Sequence, residues 1–248
     1  MPKIFVVAHI RSDLPLPAGY EYIGVGPNDL DFEFSDKFGE SIAELNPYFS
    51  ELTALYWIWK NYECEPNDVV GLVHYRRLLV DAGLFPLVLK KPVSITKINY
   101  LLQKYDLIVP ESQNLRPDAY NNYGREHTQE DLDFVLMMAE IKDSAPSGSY
   151  RSALINMKSN KMCNVFITRK HLLDRYCAWL FPILFDAHKE IDMSCRNSYQ
   201  QRAFGFLSER LFNVWLFKEI NLKSTSLPMI RLDFSAFRNW NRRRLNNR

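Results

Sequence analysis

Residues 51–79 constrain the fold and chemistry of this chain more than any other segment. They read ELTALYWIWKN, then a turn at EPND, then VVGLVHYRRLL. This order predicts an aromatic-rich helix that leads into a buried strand, and the strand is followed at once by His74, Arg76 and Arg77. Ligands of open α/β sheets bind at the carboxyl ends of strands. These side chains therefore predict an anion site, such as a diphosphate site. Alternatively, one arginine pairs with a buried acid and the other is solvated.

Composition indicates one large globular domain, or one domain with a subdomain. The chain has 248 residues, of which 47% are hydrophobic, as in ordinary soluble domains. Its four cysteines show no C-x-x-C pair and no metal-ligand spacing, so we expect reduced thiols and a cytoplasmic protein. We see no signal peptide and no apolar run of about 18 residues that would span a membrane.

The net charge of +2 conceals a basic C-terminal end. Residues 238–248 hold five of the 31 Lys and Arg residues and no acid, which leaves 26 basic against 29 acidic residues in the body. We therefore divide the chain into a single domain at residues 1–230 and a basic amphipathic tail at residues 231–248. The tail is expected either to contact an anionic membrane surface or to be a solvated terminus.

Alternating strand and helix patterns predict an α/β fold with a mostly parallel sheet flanked by helices. Apolar runs rich in β-branched residues predict buried strands, and longer periodic segments predict helices. The predicted strands are residues 3–8, 20–25, 69–73, 105–109, 162–167 and 222–228. The predicted helices are residues 46–61, 95–104, 129–142, 171–188 and 199–220, and residues 111–128 are predicted to form a polar loop.

The helix predicted at residues 199–220 carries an acid on a mostly apolar surface, which is typical of a buried helix. At 100° per residue, Arg202, Glu209 and Asn213 fall on one stripe. A carboxylate in such a place must be paired, neutralised or directed into a polar cavity. Glu209 is therefore either a structural partner of Arg202 or Arg210, or a cleft-facing acid that acts as a general base.

Three further positions allow both a structural and a functional interpretation. Glu51 lies on an apolar helix face, where it either holds a nearby loop or arginine or takes part in catalysis. The polar segment at residues 121–123, with His127, either hydrogen-bonds a sugar or is solvated. Asn164 lies within the apolar run MCNVFI and needs hydrogen-bond partners, which come from the backbone or from a ligand.

Several common motifs are absent from the sequence. It contains no P-loop, GxGxxG, HExxH or GxSxG pattern. Two D-x-D patterns occur at residues 29–31 and 131–133, in an acidic loop and inside a predicted helix, and we interpret both as chance matches. No such pattern follows the strand at residues 69–73.

Five blocks resemble a known family. They read ELTxLYWxWKN, GLxHYRR, YDxIxP, NxFI and GFLSERLxNVWL, and begin at Glu51, Gly71, Tyr105, Asn164 and Gly205. They resemble bacterial capsular-polysaccharide and O-antigen glycosyltransferases, whose members are similar to galactofuranosyltransferases. The match covers roughly residues 3–218. It implies a GT-A-like nucleotide-sugar fold with a C-terminal helical part.

The resemblance implies transfer of a hexose, with galactofuranose as the expected sugar, from a UDP-sugar to a capsular or O-antigen glycan. In most GT-A enzymes, a divalent metal held by D-x-D neutralises the departing diphosphate. Here we expect fixed cations in its place and no metal cofactor. The expected donor-binding residues are His9, His74, Arg76, Arg77, Asn164 and Arg210.

We expect inverting transfer, in which a carboxylate takes the proton of the acceptor hydroxyl. The candidate bases are Glu209 first, then Asp131 and Glu51. The expected contacts to acceptor or sugar are Tyr123, His127, Arg202 and Asn213.

The expected partners are a UDP-sugar, a free or lipid-linked glycan and the inner face of the bacterial inner membrane. The competing interpretations are a non-catalytic carbohydrate-binding or scaffold protein and a nucleotidyltransferase. The latter would need metal-binding acids that the sequence does not place. A nucleic-acid partner is not expected, because the body is acidic and carries no recognition motif.

Overall fold

A mixed β-sheet forms the centre of the molecule. The computed structural model describes residues 2–10, 16–28, 31–81 and 91–232. The strands in these ranges are β1 (Lys3–Ala8), β2 (Tyr20–Gly24), β3 (Phe34–Ser35), β4 (Val69–His74), β5 (Arg77–Leu79), β6 (Leu107–Pro110), β7 (Gln113–Asn114), β8 (Ser159–Asn160), β9 (Phe166–Arg169), β10 (Ser224–Leu227) and β11 (Met229–Arg231).

The strand order of the main sheet is β10-β6-β9-β4-β1-β2-β3. β1 lies parallel to both β2 and β4, β2 is parallel to β3, and β6 is parallel to β10. β9 runs antiparallel between β4 and β6, and β5 lies antiparallel between β4 and β11. The predicted α/β architecture with a largely parallel central sheet is confirmed.

Helices pack on the sheet and produce two apolar cores. In β1, Phe5 and Val7 belong to one core, whereas Ile4 and Val6 belong to the other. Successive strand residues point to opposite faces, so a strand covered on both faces must be apolar throughout. The helices of the described residues are α1 (Asn46–Phe49), α2 (Leu52–Asn61), α3 (Ile95–Leu101), α4 (Ala119–Glu126), α5 (Gln129–Asp143), α6 (Ser149–Asn156), α7 (Lys170–Glu190) and α8 (Ala203–Lys218).

Two predicted segments differ from the structure, one because it is more regular than predicted and the other because it is less so. The predicted loop at residues 111–128 contains β7 and α4, and the backbone N–H of Asn121 donates to the N-cap carboxylate of Asp118 at 2.8 Å. The predicted helix at residues 46–61 is interrupted at Ser50, where φ is 52°. α6 has no counterpart among the predicted helices.

The predicted strand at residues 162–167 is displaced towards the C-terminus. Cys163 and Asn164 adopt left-handed backbone angles, with φ of 78° and 48°, and the strand begins only at Phe166. The helix predicted at residues 199–220 starts with a 3-10 turn at Gln200–Arg202, and α8 follows it. After α8 the chain returns to the sheet, so the C-terminal part contains strands as well as a helix.

The predicted tail is described only at its start. Arg231 ends β11 and Leu232 is buried, whereas residues 233–248 lie outside the described residues. The division into a domain and a tail stays a prediction. Within the described ranges, none of the helices combines the length and apolar character that crossing a bilayer requires.

Gly71→Ala should destabilise the protein, because β4 lies between two strands with no room for a methyl group. An added Cβ would lie 2.8 Å from Ile167 Cγ1 and 3.0 Å from Ile4 Cδ1. Overpacking of this kind costs about 1–3 kcal/mol, which urea unfolding would measure. The control is Gly205→Ala in α8, where the new Cβ meets Ser50 at 3.6 Å and should not lower stability. Equal stability of the two variants would contradict this packing.

Candidate active site

A cavity of about 420 Å³ opens at the carboxyl ends of β1 and β4. Parallel pairing brings these two strand ends together, with Val7 opposite His74. The structure therefore assembles residues from four distant sequence segments around one space. The charged and titratable side chains that line it are His9, Glu51, His74, Arg76, Arg77 and Arg202.

The β4–β5 hairpin places most of the cationic groups. His74 and Arg77 are cross-strand partners, and Tyr75 and Arg76 form the two-residue turn between them. The turn is anchored to β1, because the Tyr75 backbone N–H donates to the Val7 carbonyl at 3.0 Å. On the other side, the Leu232 N–H donates to the Arg76 carbonyl at 2.7 Å. The hairpin therefore presents Arg76 and Arg77 to the cavity from a fixed backbone.

His74 lies where a positive charge is unfavourable, in contrast to the cation that the sequence led us to expect. Burial lowers its pKa to about 4. Arg77 and Arg76 also lower the pKa, whereas the Glu51 carboxylate raises it. Arg77 Nη1 lies 3.5 Å from His74 Nδ1. A guanidinium can only donate, so Nδ1 accepts and the imidazole proton is on Nε2. Nε2 is buried and has no hydrogen-bond partner among the described residues.

The guanidiniums of Arg76, Arg77 and Arg202 form no ion pair with any carboxylate of the described residues. Arg76 lies over the Tyr75 ring at 5.1 Å, and Arg202 Nε donates to Ser50 Oγ at 3.0 Å. The cavity wall contains three guanidiniums and one carboxylate, so its formal net charge is +2. Such an excess of fixed cations suits an anion with several oxygens, such as a diphosphate.

The interruption at Ser50 brings Glu51 into the cavity wall. Asn46 Nδ2 donates to the Ser50 carbonyl at 2.9 Å, which stabilises the left-handed residue between α1 and α2. Thr53 Oγ1 donates to the buried Asp36 Oδ2 at 2.5 Å and ties the start of α2 to β3 and the following loop. A continuous helix, as predicted from sequence, would not have this half-buried turn beside the strand ends.

Asn164 contacts Glu51 and does not line the cavity. Its Nδ2 donates to Glu51 Oε1 at 2.7 Å and to the Gly205 carbonyl at 3.1 Å. Ser208 Oγ lies 3.0 Å from its Oδ1. Asn164, which was predicted to bind the donor, therefore lies behind the Glu51 carboxylate, and its side chain is hydrogen-bonded to other residues of the protein.

Glu209 lies beneath the cavity and does not line it. Only 9% of the residue is exposed. Burial, and then the neighbouring Glu51 carboxylate, raise its pKa to about 7, against the lowering effects of Arg210 and the Cys163 backbone N–H. Two carboxyls of different environment therefore lie close together, one at the cavity surface and one buried.

Three of the other predicted site residues have structural partners. Asp131 forms a two-pronged ion pair with Arg196, whose Nη2 lies 2.9 Å from Oδ1. Arg210 donates to the Ala119 carbonyl at 3.1 Å. Asn213 Nδ2 donates to the backbone carbonyl of Lys161 at 2.8 Å. The structure brings none of the three to the cavity wall.

The predicted sugar contacts Tyr123 and His127 also lie outside the cavity wall. Tyr123 is 1% exposed. The His127 ring stacks on Phe206 at 4.2 Å and on Tyr199 at 5.8 Å, and Tyr199 is half exposed. Of the four predicted acceptor or sugar contacts, Arg202 is the one that lines the cavity.

Comparisons with known proteins identify the family of this chain and a similar solved structure. The model of the family described as "Domain of unknown function (DUF4422)" matches residues 3–220. The chain belongs to this family. A comparison with curated proteins found no match.

Among solved structures, this DUF4422 chain is similar to the apo structure of WbbM, a bifunctional glycosyltransferase, with a TM-score of 0.81 and 25% identity. The similarity covers 94% of this chain and 45% of the WbbM chain, so the chain spans less than half of that protein.

Sequence reasoning missed several polar residues of the wall. Asn46, Ser50, Ser198 and Gln201 line the cavity of the DUF4422 chain but were not among the predicted site residues. Ser50 gave one local signal, because serine in a helical pattern favours a helix end. The 3-10 turn that contains Gln201 also had a local signal, because Asn197 Oδ1 accepts from the Gln200 backbone N–H at 2.9 Å. Within the described ranges, no three His, Cys, Asp or Glu side chains come together as a metal site would require.

The free energy of unfolding of Glu209→Gln, relative to that of wild type, should be larger at pH 8 than at pH 5. Because the pKa of Glu209 rises from 4.5 to about 7, the folded chain binds more protons than the unfolded chain between these values, and stability falls as pH rises through them. The free energy of unfolding of the variant, relative to wild type, should increase by about 2 kcal/mol from pH 5 to pH 8. Urea unfolding at both pH values measures this change.

The matched control is Glu130→Gln on the exposed start of α5. The free energy of unfolding of Glu130→Gln, relative to that of wild type, should be the same at pH 5 and pH 8. A pH-independent effect of Glu209→Gln would mean that the buried carboxyl stays ionised.

Proposed function

We propose that this chain is a glycosyltransferase that moves a hexose from a UDP-sugar to a growing glycan. The observation that carries the proposal is the cavity at the ends of β1 and β4, which combines three guanidiniums with one carboxylate. The likeness to a solved glycosyltransferase supports this reaction class. The resemblance of the sequence blocks supports galactofuranose as the sugar and a capsular or O-antigen glycan as the acceptor.

The proposed role of Arg76, Arg77 and Arg202 is to bind the diphosphate of the donor. No ion pair within the described part of the chain neutralises these guanidiniums, so a diphosphate would supply the missing negative charge. Charge-assisted hydrogen bonds would stabilise the leaving group as its charge develops. In this proposal, fixed cations do the work that a divalent metal does in other enzymes of this fold.

The proposed base is Glu51. An acceptor hydroxyl oxygen attacks the anomeric carbon, the bond from that carbon to the diphosphate oxygen breaks, and the electron pair leaves with the nucleoside diphosphate. Glu51 takes the hydroxyl proton. Its place in the wall, as the one lining carboxylate of the described residues, supports Glu51 over the buried Glu209 and the ion-paired Asp131. A single carboxylate at the reacting face supports inversion.

Glu51→Gln should lower kcat by about 10² or more, because the amide cannot accept the proton. UDP affinity, measured by isothermal titration calorimetry, should stay near the wild-type value. Transfer from a panel of UDP-sugars, including UDP-galactofuranose, gives the rate. Glu209→Gln is the comparison variant and should keep kcat within about tenfold of wild type. The opposite ranking of the two variants would assign the base to Glu209.

Replacing Arg76, Arg77 or Arg202 by alanine should weaken UDP binding about tenfold or more in each case, since each removes a charged hydrogen-bond donor. Arg175→Ala is the matched control, because this arginine pairs with Glu219 at 2.9 Å on another surface. Wild-type turnover should persist in EDTA. Loss of turnover that Mn²⁺ restores would refute the fixed-cation role.

A further inference from the structure

The turn at Cys163 and Asn164 lies behind the cavity and contacts both neighbouring carboxyls. Asn164 Nδ2 donates to Glu51, and the Cys163 backbone N–H lies near the carboxyl of Glu209 and lowers its pKa. Both turn residues are buried and have left-handed φ angles. The turn thus gives each acid a separate donor from one rigid element.

The amide orientation of Asn164 is determined by its partners. Glu51 Oε1 and the Gly205 carbonyl are both acceptors, so the atom that faces them must be the NH₂ group. That group has two protons, and these two bonds use both. The remaining amide oxygen faces the Ser208 hydroxyl at 3.0 Å. Asn164 has no N–H left to offer a diphosphate, in contrast to its predicted role as a donor-binding residue.

The backbone also selects asparagine at this position. A φ of 48° is unfavourable for most L-residues, but asparagine and glycine adopt it readily. Asn164 is 3% exposed, so its side chain cannot turn to solvent. The residue therefore combines a backbone shape with a fixed donor aimed at one carboxylate oxygen.

We propose that Asn164 is the positioning residue of Glu51, which holds Oε1 and leaves Oε2 free to take the proton of the acceptor hydroxyl. This inference rests on the proposed function. Catalytic groups must be held within a fraction of an ångström, and a displacement of about 1 Å can cost about 10² in rate. Without Asn164, the Glu51 side chain would adopt several rotamers, because three guanidiniums line the same cavity and would each attract its carboxylate.

The test uses Asn164→Gly, which keeps the left-handed backbone and removes the amide. We expect kcat for transfer to fall about 10- to 100-fold, with UDP affinity and the donor KM within about twofold of wild type. Asn164→Asp, which keeps the shape but has no N–H donor, should lose at least as much. The matched control is Ser208→Ala, which leaves both Nδ2 bonds intact and should keep most of the wild-type kcat.

A weaker UDP affinity with unchanged kcat would overturn the inference and make Asn164 a donor contact. Unchanged kcat and KM would also overturn it. Crystal structures of wild type and Asn164→Gly give a readout that needs no turnover: Glu51 should occupy one rotamer in wild type and several in the variant. One shared Glu51 rotamer would overturn the inference as well.

If wild type transfers no sugar from any UDP donor tested, the proposed function fails. The Glu51 rotamers then still decide whether Asn164 positions that carboxylate.

Discussion

The concentration of unneutralised positive charge at the ends of β1 and β4 is the constraint on which the rest of the site depends. Guanidiniums repel one another, so the fold must hold them together against that repulsion. The hairpin does so with backbone hydrogen bonds on both sides, from Tyr75 to Val7 and from Leu232 to Arg76. The anion that this charge favours would complete the arrangement.

Around this charge, the structure separates two carboxyls by environment. Glu51 stands at the cavity surface on a helix interruption, whereas Glu209 is buried on α8 with Arg210 Nη1 3.9 Å from its Oε2. The low dielectric of the interior favours the protonated form of the buried acid, and the nearby carboxylate adds to this effect. In the function proposed above, the acid at the cavity surface takes the acceptor proton and the buried acid supports the structure beneath it.

The parts of the site that sequence could predict were those held by local patterns. β1 and β4 were recognisable because strands buried on both faces must be apolar without interruption, and His9 and His74 follow from their ends. The Asn164 turn was not recognisable, because the run MCNVFI resembles a strand in composition. Its left-handed shape is maintained by partners from α8 and from Glu51, which are distant in sequence.

The sequence by itself determined the α/β class, the positions of most main strands along the chain and the placing of arginines after β4, because periodicity and apolar runs are local properties. Tertiary structure alone decided which acid meets the cavity and which is buried, since both lie on apolar helix faces in the sequence. It also decided that His74 has a lowered pKa, because burial and the adjacent arginines disfavour its charged form. Burial and long-range hydrogen bonds are properties of the packed chain, and no window of neighbouring residues contains them.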